Sequence, residues 1–206
     1  MVAYLNETRT DHIITVEDPI EIVQPAKGCN VTQREVGQHT NSFASALKGA
    51  LREDPDVIII GELRDLETIE MAITASETGH LVIGTMHTSD AATTLNRILD
   101  VFPPGQLTQI RASVAESLRG IVCQRLLPAT QGGLMLACEI LVNNVAIQNL
   151  IREGKSQALR NTMETSVRDG MCLMDNVVFS LWHARVISAE TALANITNRQ
   201  IRAKIS

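Results

Sequence analysis

Aromatic residues are scarce in this chain of 206 residues, which has one Trp, one Tyr and three Phe. Such a composition disfavours a surface on which nucleic-acid bases stack. An excess of positive charge is also missing, since the net charge is −5, and nucleic-acid-binding proteins carry a basic patch. We therefore expect no nucleic-acid partner and a core of aliphatic side chains.

The sequence also lacks paired cysteines and long apolar runs. Its four cysteines are far apart and form no C-x-x-C pair, which argues against a zinc site and against a disulfide framework. No apolar run approaches the roughly 20 residues of a membrane span, and the N-terminus shows no signal-peptide core. We expect a cytosolic chain with buried free thiols and no transmembrane segment.

The segment 54–65, DPDVIIIGELRD, predicts the central strand of a parallel sheet. Four consecutive β-branched apolar residues without polar alternation are typical of a strand that is buried on both faces. Glu62 follows directly, at the end of the strand where open α/β sheets bind their ligands. Taken alone, an acid that merely ends a strand in solvent explains Glu62 equally well.

Strands and helices alternate around this segment, which predicts βαβ units with right-handed crossovers. Strands are expected at 12–16, 57–60 and 80–87, and helices from Ser42, after Asp65, and after a cap at Thr88 or Ser89. The strand 57–60 is expected to lie between 13–16 and 81–86.

Outside this alternation the pattern differs in two places. Residues 20–38 contain short β-like pieces, EIV and CNVTQREV, between the breakers Pro25, Gly28 and Gly37, and read as a loop-rich excursion or a hairpin. Apolar runs at 120–127 and 134–142, joined by PATQGG, predict a β-hairpin. After the hairpin only helices are expected, in a tail of about 60 residues.

Three predicted strand ends carry polar side chains suited to one chemistry. These are Glu17 and Asp18, then Glu62 with Arg64 and Asp65, and His87 with Thr88. The ends of neighbouring parallel strands meet at one edge. Two acids and a histidine there suit Mg²⁺-assisted hydrolysis of a phosphoanhydride. A histidine bonded to nearby backbone explains His80 or His87 equally well when each is taken alone, and His80 precedes its strand.

A phosphate-binding loop of the form G-x-x-x-x-G-K-[ST] does not occur in these residues. The one Gly-Lys-Ser, Gly154-Lys155-Ser156, has Asn149 where the first glycine belongs and follows a predicted helix. We therefore expect half of a triphosphate site and weak or no ATP binding by the chain alone.

Several motifs resemble, in order and spacing, those of the secretion-type hexameric ATPases. ITVEDPIE resembles their Asp box, SFASALKGALREDPDVIIIGELRD their Walker B region, and TGHLVIGTMHTSDAATTLNRILDVFP their His box. AIQNLIREGK resembles the AIRNLIRE motif of the type IV pilus retraction motors of twitching motility, the PilT family, with Gln148 in place of Arg. The resemblance is therefore to that family, and the substitution bears on how hydrolysis is coupled to retraction.

The resemblance implies roles for individual residues. Glu62 is then the Walker B glutamate, Glu17 and Asp18 are the Asp-box acids, and His87 lies near the γ-phosphate of ATP. Mg²⁺ is then held through water by Glu62 and Asp18, with no direct protein ligand. Arg64, His80 and Thr88 are predicted to sense the nucleotide phosphates. The predicted retraction or subunit motif consists of Ala146, Ile147, Gln148, Asn149, Leu150, Ile151, Arg152 and Glu153.

The resemblance also implies a fold and partners. The expected fold is α/β, a RecA-like P-loop NTPase core truncated at its N-terminal side over 1–142, followed by a helical region over 143–206. Relative to the family, these residues lack the strand that carries the phosphate loop. We therefore expect the chain to be marginally stable or to associate through an open sheet edge. The implied partners are a hexamer of like subunits and the inner-membrane pilus platform protein, with the chain peripheral to that membrane.

Three other interpretations stay open at the level of sequence. One is a truncated, non-catalytic paralogue that binds motor subunits or the platform. Another is an extension or type II secretion ATPase, although that group usually carries a tetracysteine zinc motif that the scattered cysteines do not match. The third is an unrelated α/β hydrolase, which the lack of a nucleophile elbow and of a dinucleotide fingerprint disfavours.

Overall fold

The computed structural model describes residues 1–205, and the chain forms two compact units, residues 1–87 and 88–205. The elements of the first unit are α1 (Val2–Thr8), β1 (His12–Glu17), β2 (Asn30–Glu35), α2 (Phe43–Ala50), β3 (Val57–Ile60), α3 (Leu66–Glu77) and β4 (Leu81–Gly84). Those of the second are α4 (Ala91–Asp100), α5 (Leu107–Ser117), β5 (Gly120–Pro128), β6 (Leu134–Val142), α6 (Val145–Glu153), α7 (Leu159–Thr165), α8 (Met174–His183), α9 (Ala189–Asn195) and α10 (Arg199–Arg202).

A four-stranded parallel sheet of order β2-β1-β3-β4 forms the first unit, which confirms the α/β fold and places β3 between β1 and β4. One face packs under α2 and α3 through Val16, Leu47 and Ile58, each fully buried. On the other face Ile13 and Val57 pack with Leu5 of α1. β4 is an edge strand, and association through it stays a prediction.

The interpretation of residues 20–38 as a loop-rich excursion or hairpin is wrong in one respect. β2 lies within this segment and pairs parallel to β1, with His12 opposite Asn30 and Glu17 opposite Glu35, so the residues before it form a crossover. The strand is hard to detect because it is an edge strand with the sequence NVTQRE, in which no residue is fully buried. Its polar side chains form hydrogen bonds with the backbone of the crossover.

The predicted starts of α2 at Ser42 and of α3 at Asp65 agree with the structure, and the predicted start of α4 does not. Asp65 caps α3 by accepting a hydrogen bond from the Thr68 N–H at 2.9 Å, as expected. The cap of α4 is Asp90, which accepts from the Thr93 N–H at 2.8 Å, and neither Thr88 nor Ser89. Burial alone would raise the pKa of Asp90, but hydrogen bonds from Thr93, Ser89 and Ala92 hold it below its ordinary value. An ionised carboxylate is a strong cap at the positive end of a helix.

The second unit contains the predicted hairpin, β5 and β6, paired antiparallel from Gly120–Val142 to Pro128–Leu134. The helical tail packs directly on it, since Leu127 and Ala137 share a buried cluster with Met174, Val178 and Ile196. The compact units divide after His87, and the hairpin and the tail share one core. The division of the chain into domains at residue 142 stays a prediction.

Two further findings bear on the expected class of protein. Cys29 and Cys123 are buried, and Cys138 and Cys172 are half-buried. Within the part of the chain that the structure describes, no helix is long and apolar enough to cross a membrane.

Candidate active-site edge

The register of the parallel strands brings three strand ends into one row. Val16 lies opposite Ile60, and Ile60 lies opposite Gly84. The residues that follow these three positions therefore leave the sheet at one edge. A cleft of about 360 Å³ opens there, lined among others by Glu17, Asp18, Glu62, Arg64 and Thr85.

Glu62 is a largely buried acid at this edge, and two exposed side chains lie against its carboxylate. Its side chain is 18% exposed, and its Oε2 accepts a hydrogen bond from Arg64 Nε at 2.5 Å. His87 Nε2 lies 3.6 Å from Glu62 Oε1. The hydrogen bond to Glu62 raises the pKa of Arg64. Arg64 and His87 are 57% and 81% exposed, so both can turn toward an anion in the cleft.

Glu17 is held by two neutral donors. Its Oε1 accepts a hydrogen bond from the buried Thr15 hydroxyl at 2.6 Å and from Gln33 Nε2 at 2.9 Å. Asp18, the next residue, is exposed and also lines the cleft. The edge therefore combines one fixed acid, one exposed acid and Glu62.

One predicted phosphate sensor, His80, does not lie at this edge, and another, Thr88, is the first residue of the second unit. His80 precedes β4, at the opposite end of the strand, where its Nδ1 is 2.9 Å from the Ala75 carbonyl oxygen and 3.1 Å from Thr78 Oγ1. Thr88 belongs to the second unit, where its hydroxyl is 2.7 Å from that of Thr94. Local hydrogen bonds account for both side chains, and their sensing role stays a prediction without support from position.

The predicted retraction motif forms α6 in the second unit. Asn144 caps the helix and Gly154 ends it in the left-handed conformation. Ile147 and Ile151 are its buried anchors. Ala146, Asn149, Arg152 and Glu153 are exposed, and Gln148 and Leu150 are half-buried. The motif therefore presents one polar face from a helix that is fixed by two isoleucines.

The acids of the first unit suit a hydrated metal ion better than a bare one. Among residues 1–205, no group of three or more His, Cys, Asp or Glu side chains is placed to hold a metal ion. Mg²⁺ commonly keeps several waters and binds through one or two carboxylates together with substrate phosphates. Asp18 and Glu62 fit that arrangement as acceptors for metal-bound water.

Sequence reasoning did not identify Thr15 and Gln33 as partners of Glu17. The sequence predicts Thr15 only as part of an apolar strand, and it predicts CNVTQREV as a β-like piece without its parallel pairing to β1. The available signal was the period of two, which puts Thr15 and Glu17 on one face of β1.

Comparisons with known proteins identify the family. Residues 1–204 match the family model described as type II/IV secretion system protein. The chain belongs to this family. That result confirms the resemblance drawn from the sequence motifs.

Individual relatives are similar over nearly the whole chain. A twitching motility protein of Neisseria gonorrhoeae is 48% identical over 201 residues, which are 97% of this chain and 54% of the relative. The type IV pilus retraction ATPase PilT of Pseudomonas aeruginosa is 47% identical over 192 residues, 93% of this chain and 56% of the relative. A crystal structure of the pilus retraction motor PilT with bound ADP superposes with a TM-score of 0.90 at 48% identity, covering 97% of this chain and 57% of that one. The chain thus spans about half the length of these relatives.

Proposed function

We propose that this chain supplies the acidic side of the Mg-ATP site of a secretion-type motor ATPase that powers type IV pilus retraction. The observation that carries the proposal is Glu62, which lies at the end of the central strand between Arg64 and His87 and faces a cleft that also contains Glu17 and Asp18. Support for retraction comes from the gonococcal and Pseudomonas relatives, which match 97% and 93% of the chain.

In this proposal the residues have distinct tasks. Glu62 orients the attacking water and accepts its proton, for which a carboxylate must lie within hydrogen-bond reach of that water. Mg²⁺ would supply charge neutralisation at the phosphates, and Asp18 and Glu62, with Glu17 beside them in the cleft, would accept hydrogen bonds from its water shell. When nucleotide enters, Arg64 and His87 turn from Glu62 toward the phosphates, which leaves the carboxylate able to take a proton.

The wider context belongs to the same proposal. The motor is a hexamer of like subunits in the cytoplasm, and it acts on a platform protein at the inner membrane. The exposed face of α6 is the candidate for transmitting hydrolysis to that partner. Gln148 stands where the retraction motif has Arg, so we expect this chain to couple hydrolysis to movement differently from a motor with Arg at that position.

The test joins the whole 206-residue chain to the part of the Pseudomonas relative that the match leaves uncovered, since the match spans 56% of that relative. We expect Mg-dependent ATP hydrolysis that Glu62→Gln lowers by roughly 10² to 10⁴-fold, the usual contribution of a general base. Glu77→Gln, at an exposed glutamate at the end of α3, is the matched control and should leave the rate unchanged. A folded chimera without hydrolysis, or one whose rate survives Glu62→Gln, contradicts the proposal.

A second measurement separates catalysis from a purely regulatory role. In isothermal titration of Mg-ATP into the chain alone we expect no binding, since its residues contain no G-x-x-x-x-G-K-[ST] loop. Micromolar binding to the chain alone would show that its own residues hold the phosphates. If the chain instead binds and modulates an intact motor subunit while the chimera stays inactive, the non-catalytic paralogue is the correct interpretation.

A further inference from the structure

The Gln33 side chain lies on β2 beside the acidic edge and uses both ends of its amide. Its Nε2 donates to Glu17 Oε1 at 2.9 Å and to the Ile22 carbonyl oxygen at 3.0 Å. Its Oε1 accepts from the Gln24 N–H at 2.7 Å. One amide therefore joins a carboxylate of the cleft to two backbone groups of the crossover that follows Asp18.

The strand register fixes where this amide points. Gln33 lies directly opposite Thr15 on the neighbouring parallel strand, and side chains opposite each other in register share one face of the sheet. Glu17 lies two residues after Thr15 on the same face. The Thr15 hydroxyl and the Gln33 amide therefore reach the same oxygen, Glu17 Oε1. Glu17 Oε2 accepts no hydrogen bond from any described residue, so the other oxygen is left for a ligand in the cleft.

The crossover is tied to β2 at a second place. The Ile20 N–H donates to Glu35 Oε2 at 3.0 Å, so β2 holds the backbone on the C-terminal side of Asp18 at residues 20, 22 and 24. Among residues 1–205, Gln33 is the one whose side chain hydrogen-bonds both to this backbone and to Glu17. Glutamine is also the residue type that its contacts require, since the side chain must donate and accept at once.

We propose that Gln33 is a positioning residue of the proposed ATPase site, which fixes Glu17 relative to the loop that carries Asp18. The inference rests on the proposed function. Its physical basis is that acids act together on one hydrated metal ion only if their side chains keep a defined orientation, and Gln33 holds Glu17 and, at residues 22 and 24, the backbone that follows Asp18. Loss of this connection leaves both acids in place but lets their geometry vary, which lowers the rate of the chemical step more than it weakens binding.

Amide hydrogen exchange on the chain alone tests the connection without ATP. Gln33→Ala removes the acceptor, so the Gln24 N–H should exchange roughly tenfold faster, whereas Gln33→Glu keeps an acceptor and should leave that rate within about threefold. The Ile20 N–H, which bonds to Glu35, is the internal reference in both variants. Unchanged exchange of Gln24 in Gln33→Ala overturns the connection.

Steady-state kinetics of the full-length chimera test the positioning role. Gln33→Glu removes both donated hydrogen bonds and sets a second carboxylate beside Glu17. We expect kcat to fall roughly 10- to 100-fold, as for other residues that orient a liganding side chain by hydrogen bonding to it. KM should change less than about threefold. Gln124→Glu, an exposed strand glutamine of the second unit, is the matched control.

The possible outcomes separate the two proposals. An active chimera whose kcat is unchanged by Gln33→Glu overturns the positioning role and leaves the ATPase proposal standing. A chimera that never hydrolyses ATP overturns the ATPase proposal and the positioning role with it. If kcat falls in Gln33→Glu while the variant stays folded and its Gln24 N–H stays protected from hydrogen exchange, both proposals are supported.

Discussion

Replacing Asp175 tests how much one buried ion contributes to the second unit. Its side chain lies in the first turn of α8 and is 4% exposed. It accepts hydrogen bonds from Arg160 at 2.6 Å, from the Thr197 N–H at 2.9 Å and from the Asn198 N–H at 3.0 Å. A single carboxylate thus connects α7, α8 and the segment that leads into α10.

The contacts give the expected magnitude. Asp175→Ala leaves two backbone N–H groups without an acceptor, and each such group costs about 1–3 kcal/mol. Arg160 is 46% exposed, so its guanidinium can turn to water and adds little. We expect Asp175→Ala to lower the free energy of unfolding by roughly 2–6 kcal/mol, and Asp175→Asn, which keeps one oxygen, by roughly 1–3 kcal/mol.

The effect should also depend on pH. Burial raises the pKa of Asp175, but the hydrogen bonds from Thr197 and Arg160 outweigh it, and the pKa is lowered overall. Since the folded-state pKa lies below the unfolded-state value of about 3.9, the ionised carboxylate stabilises the fold above that pH. The difference between the native chain and Asp175→Asn should therefore be constant near neutral pH and shrink as the pH falls below about 4.

Tryptophan fluorescence in urea is a suitable assay, because the single tryptophan, Trp182, lies on α8 beside Phe179. Asp100→Asn, at an exposed aspartate at the end of α4, is the matched control and should change the free energy of unfolding by less than about 0.5 kcal/mol. If Asp175→Asn behaves like this control, or if its effect is the same at pH 7 and pH 3, the reasoning from the hydrogen bonds is refuted.

Two further substitutions probe single features of the second unit. Gly154 ends α6 at φ 69°, and an added Cβ would lie 2.8 Å from the Arg111 guanidinium carbon, so Gly154→Ala should lower the free energy of unfolding by about 1–2 kcal/mol in the same assay. Glu139 is 6% exposed, and its two oxygens accept from the N–H groups of Ala91 and Met174. Glu139→Gln offers one acceptor for these two donors and should cost about 1–3 kcal/mol.

Each of these two substitutions has a matched control. Gly105→Ala adds a methyl group where no atom lies within 4 Å, and Glu164→Gln changes an exposed glutamate of α7. Both controls should stay within about 0.5 kcal/mol of the native chain. A Gly154→Ala chain as stable as its control would mean that the helix end relaxes freely, and a neutral Glu139→Gln would mean that water replaces one of the two hydrogen bonds.

The sequence is sufficient to predict those elements whose stabilising contacts require a local pattern of apolar or turn residues. β3 was predictable because both of its faces are covered, which requires an unbroken apolar run. The hairpin was predictable because two apolar runs flank a glycine-rich joint. β2 was predictable only as a short β-like piece and not as a member of the parallel sheet, because an edge strand has few apolar requirements and this one carries Thr32, Gln33, Arg34 and Glu35 in a row.

Other features could not be predicted because they depend on contacts between distant residues. Three capping residues occur in succession at 88–90, and only the structure shows that Asp90 is the one that meets the Thr93 N–H. The boundary after His87 follows from the packing of Val178 against Leu127, which no local pattern reports. The acids of the active-site edge were predictable from strand ends, but the bond between Gln33 and Glu17 requires the register of β1 and β2.

The acids of this chain differ in the groups that donate hydrogen bonds to them, and this difference bears on the proposed role of Glu62. Glu139 accepts hydrogen bonds from two backbone N–H groups, which cannot move without unfolding two helix ends. Glu62 is engaged instead by the side chains of Arg64 and His87, which are largely exposed and can leave without disturbing the sheet. A carboxylate of the first kind stabilises the fold and offers little to a ligand. One of the second kind can exchange its partners for water and phosphate at small cost, which is what a residue that accepts a proton in every catalytic cycle requires.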